Sequence, residues 1–193
     1  MAIFMPAYKR LIAVVLFLGV LLAVFELSGL RDHFNLQYLH DVLVAHKVLG
    51  LVLFTLVFAL GNLIQIPGWI FLAAAVLALG RTMGGVATYV AAVVTCASTF
   101  LLIRLIGGNA LRQLRGRAAA AILRQLDAHP VRSVALSRLL FQTMPALNYV
   151  LAMSGVKFRN YLVGTLLGLP VPIALYCIFF DYLATAFHIH VAG

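Results

Sequence analysis

Arg138 is the residue whose type and position point most directly to chemistry, because it is a charged side chain inside an apolar segment. Placing a guanidinium at the centre of a bilayer costs roughly 2.5 to 3.5 kcal/mol, so an interaction must offset that cost. Its forked donors match a phosphate group well. We therefore predict that Arg138 binds a phosphate-bearing headgroup. The alternative is an arginine that snorkels to the interface or caps a neighbouring helix.

Four other polar residues lie at the end of an apolar run or beside two prolines. Arg104 ends an apolar run, where an arginine usually anchors the helix at the membrane surface, and headgroup binding is the second interpretation. Gln65, Gln142 and Asn148 flank the prolines. Their amides can satisfy backbone groups that the breaks leave without partners, and they can also line a transport path.

The titratable side chains suggest little further chemistry. Glu26 and Asp181 lie toward the ends of apolar spans, where each could titrate in a proton-coupled cycle or act as an ordinary interfacial carboxylate. No acidic or cysteine ligand accompanies the connector and terminal histidines at a usable spacing, so we predict no metal site. Cys96 and Cys177 lie in apolar runs and are expected to be buried. The sequence has no glycine loop or nucleophile motif, which argues against an enzyme or a cofactor.

The composition places these residues in a membrane. Of the 193 residues, 64% are hydrophobic and 10% are charged, whereas charged residues make up about a quarter of a soluble domain. The net charge of +9 comes largely from Lys and Arg in short loops beside apolar spans, which is typical of topology signals. The chain is therefore predicted to be an all-α polytopic membrane protein with no nucleic-acid partner.

The apolar segments divide the chain into an N-terminal part, residues 1–47, and a larger domain, residues 48–187. The first part is predicted to hold a transmembrane helix at residues 11–30 and a polar connector that suits an interfacial helix. The larger domain has five predicted elements: a hairpin at 48–80, a span at 83–106, a basic amphipathic helix at 111–127, a hairpin at 134–156 and a span at 160–187.

A proline interrupts the apolar sequence of each predicted hairpin. Residues 69–79 offer only about 16 Å of helix, half the thickness of a membrane. Since Pro67 lacks a backbone N–H and Gly68 favours a turn, we predict that this segment enters the bilayer, turns and leaves on the same side. Pro145 and Gly155 shape the second hairpin in the same way.

The distribution of basic residues tests this arrangement. With a cytoplasmic N-terminus and both hairpins returning to their own side, eleven Lys and Arg residues face the cytoplasm and three lie outside. The two units of hairpin plus span then have opposite orientations, which is the inverted-repeat plan of many secondary transporters. The prediction is a multi-pass protein of a bacterial inner membrane.

The order and spacing of several short motifs resemble the VTT-domain family, also called DedA-like or SNARE-associated Golgi proteins. The resemblance covers roughly residues 60–185. The matching motifs are Ile66-Pro67-Gly68, Ala73-Ala74-Ala75, Gly84-Gly85, Phe100-Leu101-Leu102-Ile103-Arg104, Gly107, Arg138-Leu139, Pro145, Asn148-Tyr149, Gly155, Tyr161, Gly164-Thr165, Gly168 and Pro170.

The resemblance implies two facing re-entrant hairpins and the movement of lipid across a bilayer. The partner it implies is an anionic phospholipid or a polyprenyl phosphate. The chain is closer to the branch with a plain Pro-Gly break, because Trp69 stands where DedA proteins carry an acidic residue. The proton-coupled carboxylate mechanism of that branch does not carry over to this position.

Taken together, the residues and the resemblance predict a lipid transporter of the scramblase or flippase type. Its phosphate-bearing substrate would pass Arg138 and the amides beside the two prolines. The alternatives are a transporter of a small ion or solute with the same architecture, and a membrane assembly factor that transports nothing. The oligomeric state stays open.

Overall fold

The computed structural model describes residue 16 and residues 47–113, 117–141 and 144–187. Regular structure in these ranges is entirely helical, with no strand, so the predicted all-α class is confirmed for this part of the chain. Apart from residues 16 and 47, the predicted N-terminal helix and its connector lie outside the described residues, as do Glu26, Gln142 and the connector and terminal histidines.

Helices α1 (Lys47–Leu63) and α2 (Gly68–Gly107) are joined by a tight turn that ends at Pro67. The turn is closed by the Ile66 amide, which donates to the Gly61 carbonyl at 2.8 Å. Gln65 adopts a left-handed backbone with φ of 67°. The Phe58 ring of α1 stacks on the Phe71 ring of α2 at 4.7 Å, so the two helices form a hairpin around the proline.

Helix α2 is bent sharply at Gly80, which divides it into a first limb, residues 68–79, and a second limb, residues 81–107. Gly80 has φ of 76° and ψ of 171°, a conformation open to glycine and strained for other residues. The chain reverses there so completely that Gly84 lies on the backbone of the first limb: an added Cβ would come 2.5 Å from the Ala75 carbonyl oxygen. The first limb is therefore a short helix packed along the second.

The remaining helices follow in the second half of the chain. Their bounds are α3 (Arg117–Ala128), after a 3₁₀ turn at Ala110–Gln113, then α4 (Pro130–Phe141), α5 (Ala146–Met153), α6 (Phe158–Gly168) and α7 (Pro170–Ala186). Helices α6 and α7 continue through Leu169, because its amide donates to the Thr165 carbonyl and its carbonyl accepts from Ile173. Pro170 has no amide to donate to the Leu166 carbonyl four residues earlier, and the Tyr89 hydroxyl donates to that carbonyl instead at 3.1 Å.

Two apolar clusters hold these helices together. The first joins α1, both limbs of α2 and the start of α7, with Phe54, Leu72 and Ile173 buried in it. The second joins the end of α2 to α4, α5 and α6, with Phe100, Val134 and Leu151 buried in it. The polar centre described below lies between the two clusters.

The outer surface of the helices is apolar. Leu105, Leu140 and Tyr182 are 84%, 71% and 73% exposed, respectively. Large exposed apolar surfaces are unfavourable in water and favourable in hydrocarbon. Two helical stretches, Gly68–Gly107 and Phe158–Ala186, are apolar and long enough to cross a membrane. These features are those of a membrane protein.

Candidate functional site

Arg138 lies near the C-terminal end of α4 and is only 1% exposed. Its Nη2 donates to Asn148 Oδ1 and to the Tyr161 hydroxyl oxygen, each at 2.6 Å, and its Nε lies 3.4 Å from Thr165 Oγ1. The guanidinium also lies over the Tyr161 ring, 5.3 Å from the ring centroid. The neighbours that hold this cation are therefore all neutral.

Two asparagines extend the polar centre across the molecule. Asn148, at the start of α5, donates from Nδ2 to Asn62 Oδ1 at 3.1 Å. Asn62, near the end of α1, in turn donates to Thr99 Oγ1 of the second limb at 3.1 Å. Both asparagines are buried. This chain of hydrogen bonds connects Arg138 with the hairpin in the other half of the sequence.

Tyr161 and Thr165 are positioned by the helical spacing of α6. Residues four apart share a face of a helix, so both side chains point toward α4. The Tyr161 hydroxyl donates to the Cys96 carbonyl at 3.0 Å, which ties α6 to the second limb. α4 and α6 come close enough for these contacts because Gly168 has no side chain and its Cα packs directly against the Ala135 carbonyl. We call the set Asn62, Thr99, Arg138, Asn148, Tyr161 and Thr165 the polar centre.

Tyr149 closes the proline-broken end of α1. Its hydroxyl lies 2.9 Å from the Leu63 carbonyl oxygen and 3.2 Å from the Asn62 carbonyl oxygen, where α1 ends and its last carbonyls lack the usual helical partners. The Asn62 oxygen also accepts from the Gln65 amide in the turn at 3.4 Å. Tyr149, which follows the second proline, thus supplies a hydrogen bond to the backbone freed by the first break. The amides of Gln65, Gln142 and Asn148 were predicted for this purpose, and Gln142 lies outside the described residues.

A small cavity of about 20 Å³ lies beside the polar centre. Its walls include the side chains of Arg138, Asn62, Asn148 and Thr95. Thr95 is buried, and its hydroxyl has no hydrogen-bond partner among the described residues. A cavity of this size accommodates about one water molecule. In this conformation the polar centre is thus closed to anything larger.

Arg104, the second arginine considered for headgroup binding, donates hydrogen bonds to backbone carbonyls. Its Nε donates to the Ala152 carbonyl at 2.5 Å and its Nη2 to the Val156 carbonyl at 2.7 Å. These oxygens lie at and just beyond the C-terminal end of α5, where carbonyls lack helical partners and favour a cation. Arg104 therefore caps α5 in this conformation, and its remaining donor binds Asn109 Oδ1 at 3.1 Å.

Arg112 holds the same turn from a second side. Its Nε donates to the Ser154 carbonyl at 2.7 Å, and its Nη atoms pair with the Asp127 carboxylate at the end of α3. Gly155, with φ of 86°, lies so close to the Arg112 side chain that a Cβ there would overlap it. The turn between α5 and α6 is thus fixed by two arginines.

Replacing Arg104 with glutamine is expected to destabilise the protein by about 1.5 to 3 kcal/mol, because charge-assisted bonds to two carbonyls are lost. Thermal unfolding of the detergent-solubilised protein measures this change. Arg132→Gln, which removes an exposed arginine from α4, is the control and should unfold near the wild-type temperature. Equal unfolding temperatures for the two variants would contradict the capping role.

The remaining predicted residues are distributed around the centre. Gln65 is exposed in the first turn, and Pro67 ends that turn. Gly68 and Pro145 both line the small cavity, which brings the two breaks together. Asp181 lies in α7, where it pairs with Arg81 at 3.4 Å and takes no part in the polar centre.

Several residues of the polar centre were not predicted as site residues. Asn62 is the asparagine of the first hairpin, and its partners are 37 and 86 residues away in sequence. Tyr161 and Thr165 have a usable signal, because two polar residues four apart in an apolar helix mark one polar face. Tyr149, outside the polar centre, is marked in the sequence only by the family motif Asn148-Tyr149, because its partners are main-chain atoms of a distant helix end.

The fold and this centre define the class: a helical membrane protein whose two proline-broken segments meet at a buried polar network. The VTT domain family profile matches residues 66–182, more than half of the 193 residues. The chain therefore belongs to the VTT-domain family, the DedA and SNARE-associated group, as the motifs predicted. No curated protein and no solved structure gives a significant match.

Proposed function

We propose that this protein is a membrane lipid transporter that moves a phosphate-bearing headgroup past Arg138. The observation that carries the proposal is a fully buried guanidinium whose described hydrogen-bond partners are all neutral. Burying an unneutralised charge costs several kcal/mol, and an anionic ligand recovers part of that cost. A phosphate matches the forked donors of arginine, and the substrate of the proposal is an anionic phospholipid or a polyprenyl phosphate.

The two halves of the described structure support an inverted repeat. In each half a helix precedes a proline, a short helix follows it and a glycine with positive φ ends that short helix: Gly80 in the first and Gly155 in the second. An apolar helix long enough to span then follows in both halves. We propose that both hairpins are re-entrant and that residues 48–187 form one transport domain.

We propose that the protein lies in a bacterial inner membrane with a cytoplasmic N-terminus, and the distribution of basic residues supports this orientation. The second limb of α2 runs from Arg81 to the region of Arg104 and Arg112. Under the positive-inside rule the end with more basic residues faces the cytoplasm. That end also carries α3, which we propose lies on the membrane surface as a basic amphipathic helix.

Transport requires the polar centre to open. The contacts between the halves include the bond from Asn148 to Asn62 and the bonds from Tyr149 to the end of α1. We propose that separation of α5 from the tip of α1 breaks these bonds and admits the headgroup, while the acyl chains stay in hydrocarbon. The donors of the polar centre then bind phosphate oxygens in place of one another.

Proteoliposomes that contain the purified chain test the function. We expect fluorescent anionic phospholipid to cross the bilayer faster than in protein-free vesicles of the same composition. The proposal fails if no anionic or zwitterionic lipid crosses faster than in the protein-free control. Uptake of a small ion or solute in the absence of lipid movement would instead assign the rival transporter class.

A further inference from the structure

The second limb of α2 and helix α7 form an open groove with a volume of about 620 Å³. Its walls are mostly apolar and lie on the side of the second limb that carries Tyr89, with Arg81 at one end. The lining includes Gly85, Val86, Tyr89, Ile173, Ala174 and Ile178. The polar centre uses none of these residues. In a membrane protein such a groove accommodates hydrocarbon.

We propose that this groove binds a resident phospholipid whose headgroup carries both a phosphate and a primary ammonium. Arg81, at the mouth of the groove, faces Asp181 of α7, so one positive and one negative group lie side by side. A headgroup of this kind carries the complementary charges: the phosphate suits the guanidinium and the ammonium suits the carboxylate. The acyl chain then covers the apolar walls.

The geometry of the ion pair leaves it available to a ligand. Arg81 and Asp181 make a single contact at 3.4 Å, and their side chains are 56% and 34% exposed. An exposed pair of this kind contributes little to folding stability, so both groups can exchange partners at low cost. The guanidinium keeps further donors, and the carboxylate keeps a second oxygen.

The position along the helix puts the pair at headgroup level. Arg81 begins the second limb, and Arg104 lies near its other end. At 1.5 Å per residue the two arginines are about 35 Å apart along the helix axis, compared with about 30 Å for a hydrocarbon core. Arg81 therefore lies at one bilayer surface, where lipid phosphates and ammonium groups are found.

Native mass spectrometry of the detergent-solubilised full chain tests the proposal with three lipids. Phosphatidylethanolamine carries the primary ammonium, phosphatidylcholine carries a cation without N–H donors, and phosphatidylglycerol carries no cation. We expect phosphatidylethanolamine to bind in preference to both others. Asp181→Asn should reduce that preference about two- to fivefold, the range for an exposed charge pair.

Two further variants separate the binding site from the fold. Ala174 is exposed in the groove wall, so Ala174→Phe fills the groove without crowding the core and should lower binding of every phospholipid. Asp127→Asn breaks the other ion pair described here and should leave lipid binding unchanged. Equal binding of the three lipids, tighter binding of phosphatidylglycerol, or full binding by Ala174→Phe would overturn the proposal. These binding measurements do not depend on the proposed transport function.

Discussion

Arg138→Gln is expected to slow lipid translocation about ten- to a hundredfold while the protein stays folded. Glutamine keeps an amide donor for Asn148 Oδ1 or the Tyr161 hydroxyl, so a neutral network can persist around it. The variant lacks the charge-assisted bonds to a phosphate, each of which is worth about 1.5 to 3 kcal/mol. The measurement is the rate at which a fluorescent anionic phospholipid crosses proteoliposomes.

Thermal unfolding distinguishes a transport role from a structural one. Removing a buried charge that has no neutralising partner is often neutral or stabilising, so Arg138→Gln should unfold at or above the wild-type temperature. A purely structural arginine would lower the unfolding temperature and the rate together. Arg132→Gln removes an exposed positive charge from the same helix, so it is the control for the loss of a charge outside the polar centre. Wild-type transport by Arg138→Gln would remove this residue from the mechanism.

Gly168→Ala is expected to destabilise the protein by about 1 to 3 kcal/mol through overpacking. A Cβ at Gly168 would come 2.6 Å from the Ala135 carbonyl oxygen and 2.7 Å from Arg138 Cβ. Neither atom is the end of a flexible side chain, so α4 must move away from α6. That movement also increases the distance between Arg138 and Thr165. The rate of lipid translocation should therefore fall together with the unfolding temperature.

Gly68→Ala is the matched control for this prediction. Its Cβ would meet its nearest neighbour, Phe58 Cζ, at 3.5 Å, which is an ordinary van der Waals contact. Both glycines are helical with negative φ, so the same methyl group is added to similar backbone. Thermal unfolding of the two variants gives the difference. If Gly168→Ala is as stable as Gly68→Ala, close packing of α4 on α6 is not required.

The breaks and the central cation were predictable from the sequence. Pro67 and Pro145 interrupt apolar runs because they cannot donate backbone hydrogen bonds. In the structure a new helix begins directly after each proline, and the preceding helices end four residues earlier, at Leu63 and Phe141. Arg138 was predicted from the cost of a charge in an apolar segment. The reversal at Gly80 falls at the end of the predicted hairpin, and only the coordinates give the positive φ that produces it.

The role of Arg104 illustrates what local reasoning could not distinguish. An arginine at the end of an apolar run usually anchors the helix at the membrane surface, and headgroup binding was the second interpretation of Arg104. The structure places the carbonyls of Ala152 and Val156 at its donors, and these residues lie 48 and 52 positions later in the chain. The outcome depends on where α5 ends in space, which no local pattern encodes.

The sequence alone predicted the membrane class, the all-helical fold of the described residues and the family, and it singled out Arg138 as a cation inside an apolar segment. It could do so because burial of apolar surface and the backbone chemistry of proline act over a few residues. Only the tertiary structure decided what Arg138 meets. Its connection to Asn62 through Asn148 joins residues 76 positions apart across the two breaks. Hydrogen bonds between distant segments depend on helix packing at close range, where glycines such as Gly168 let side chains approach within bonding distance.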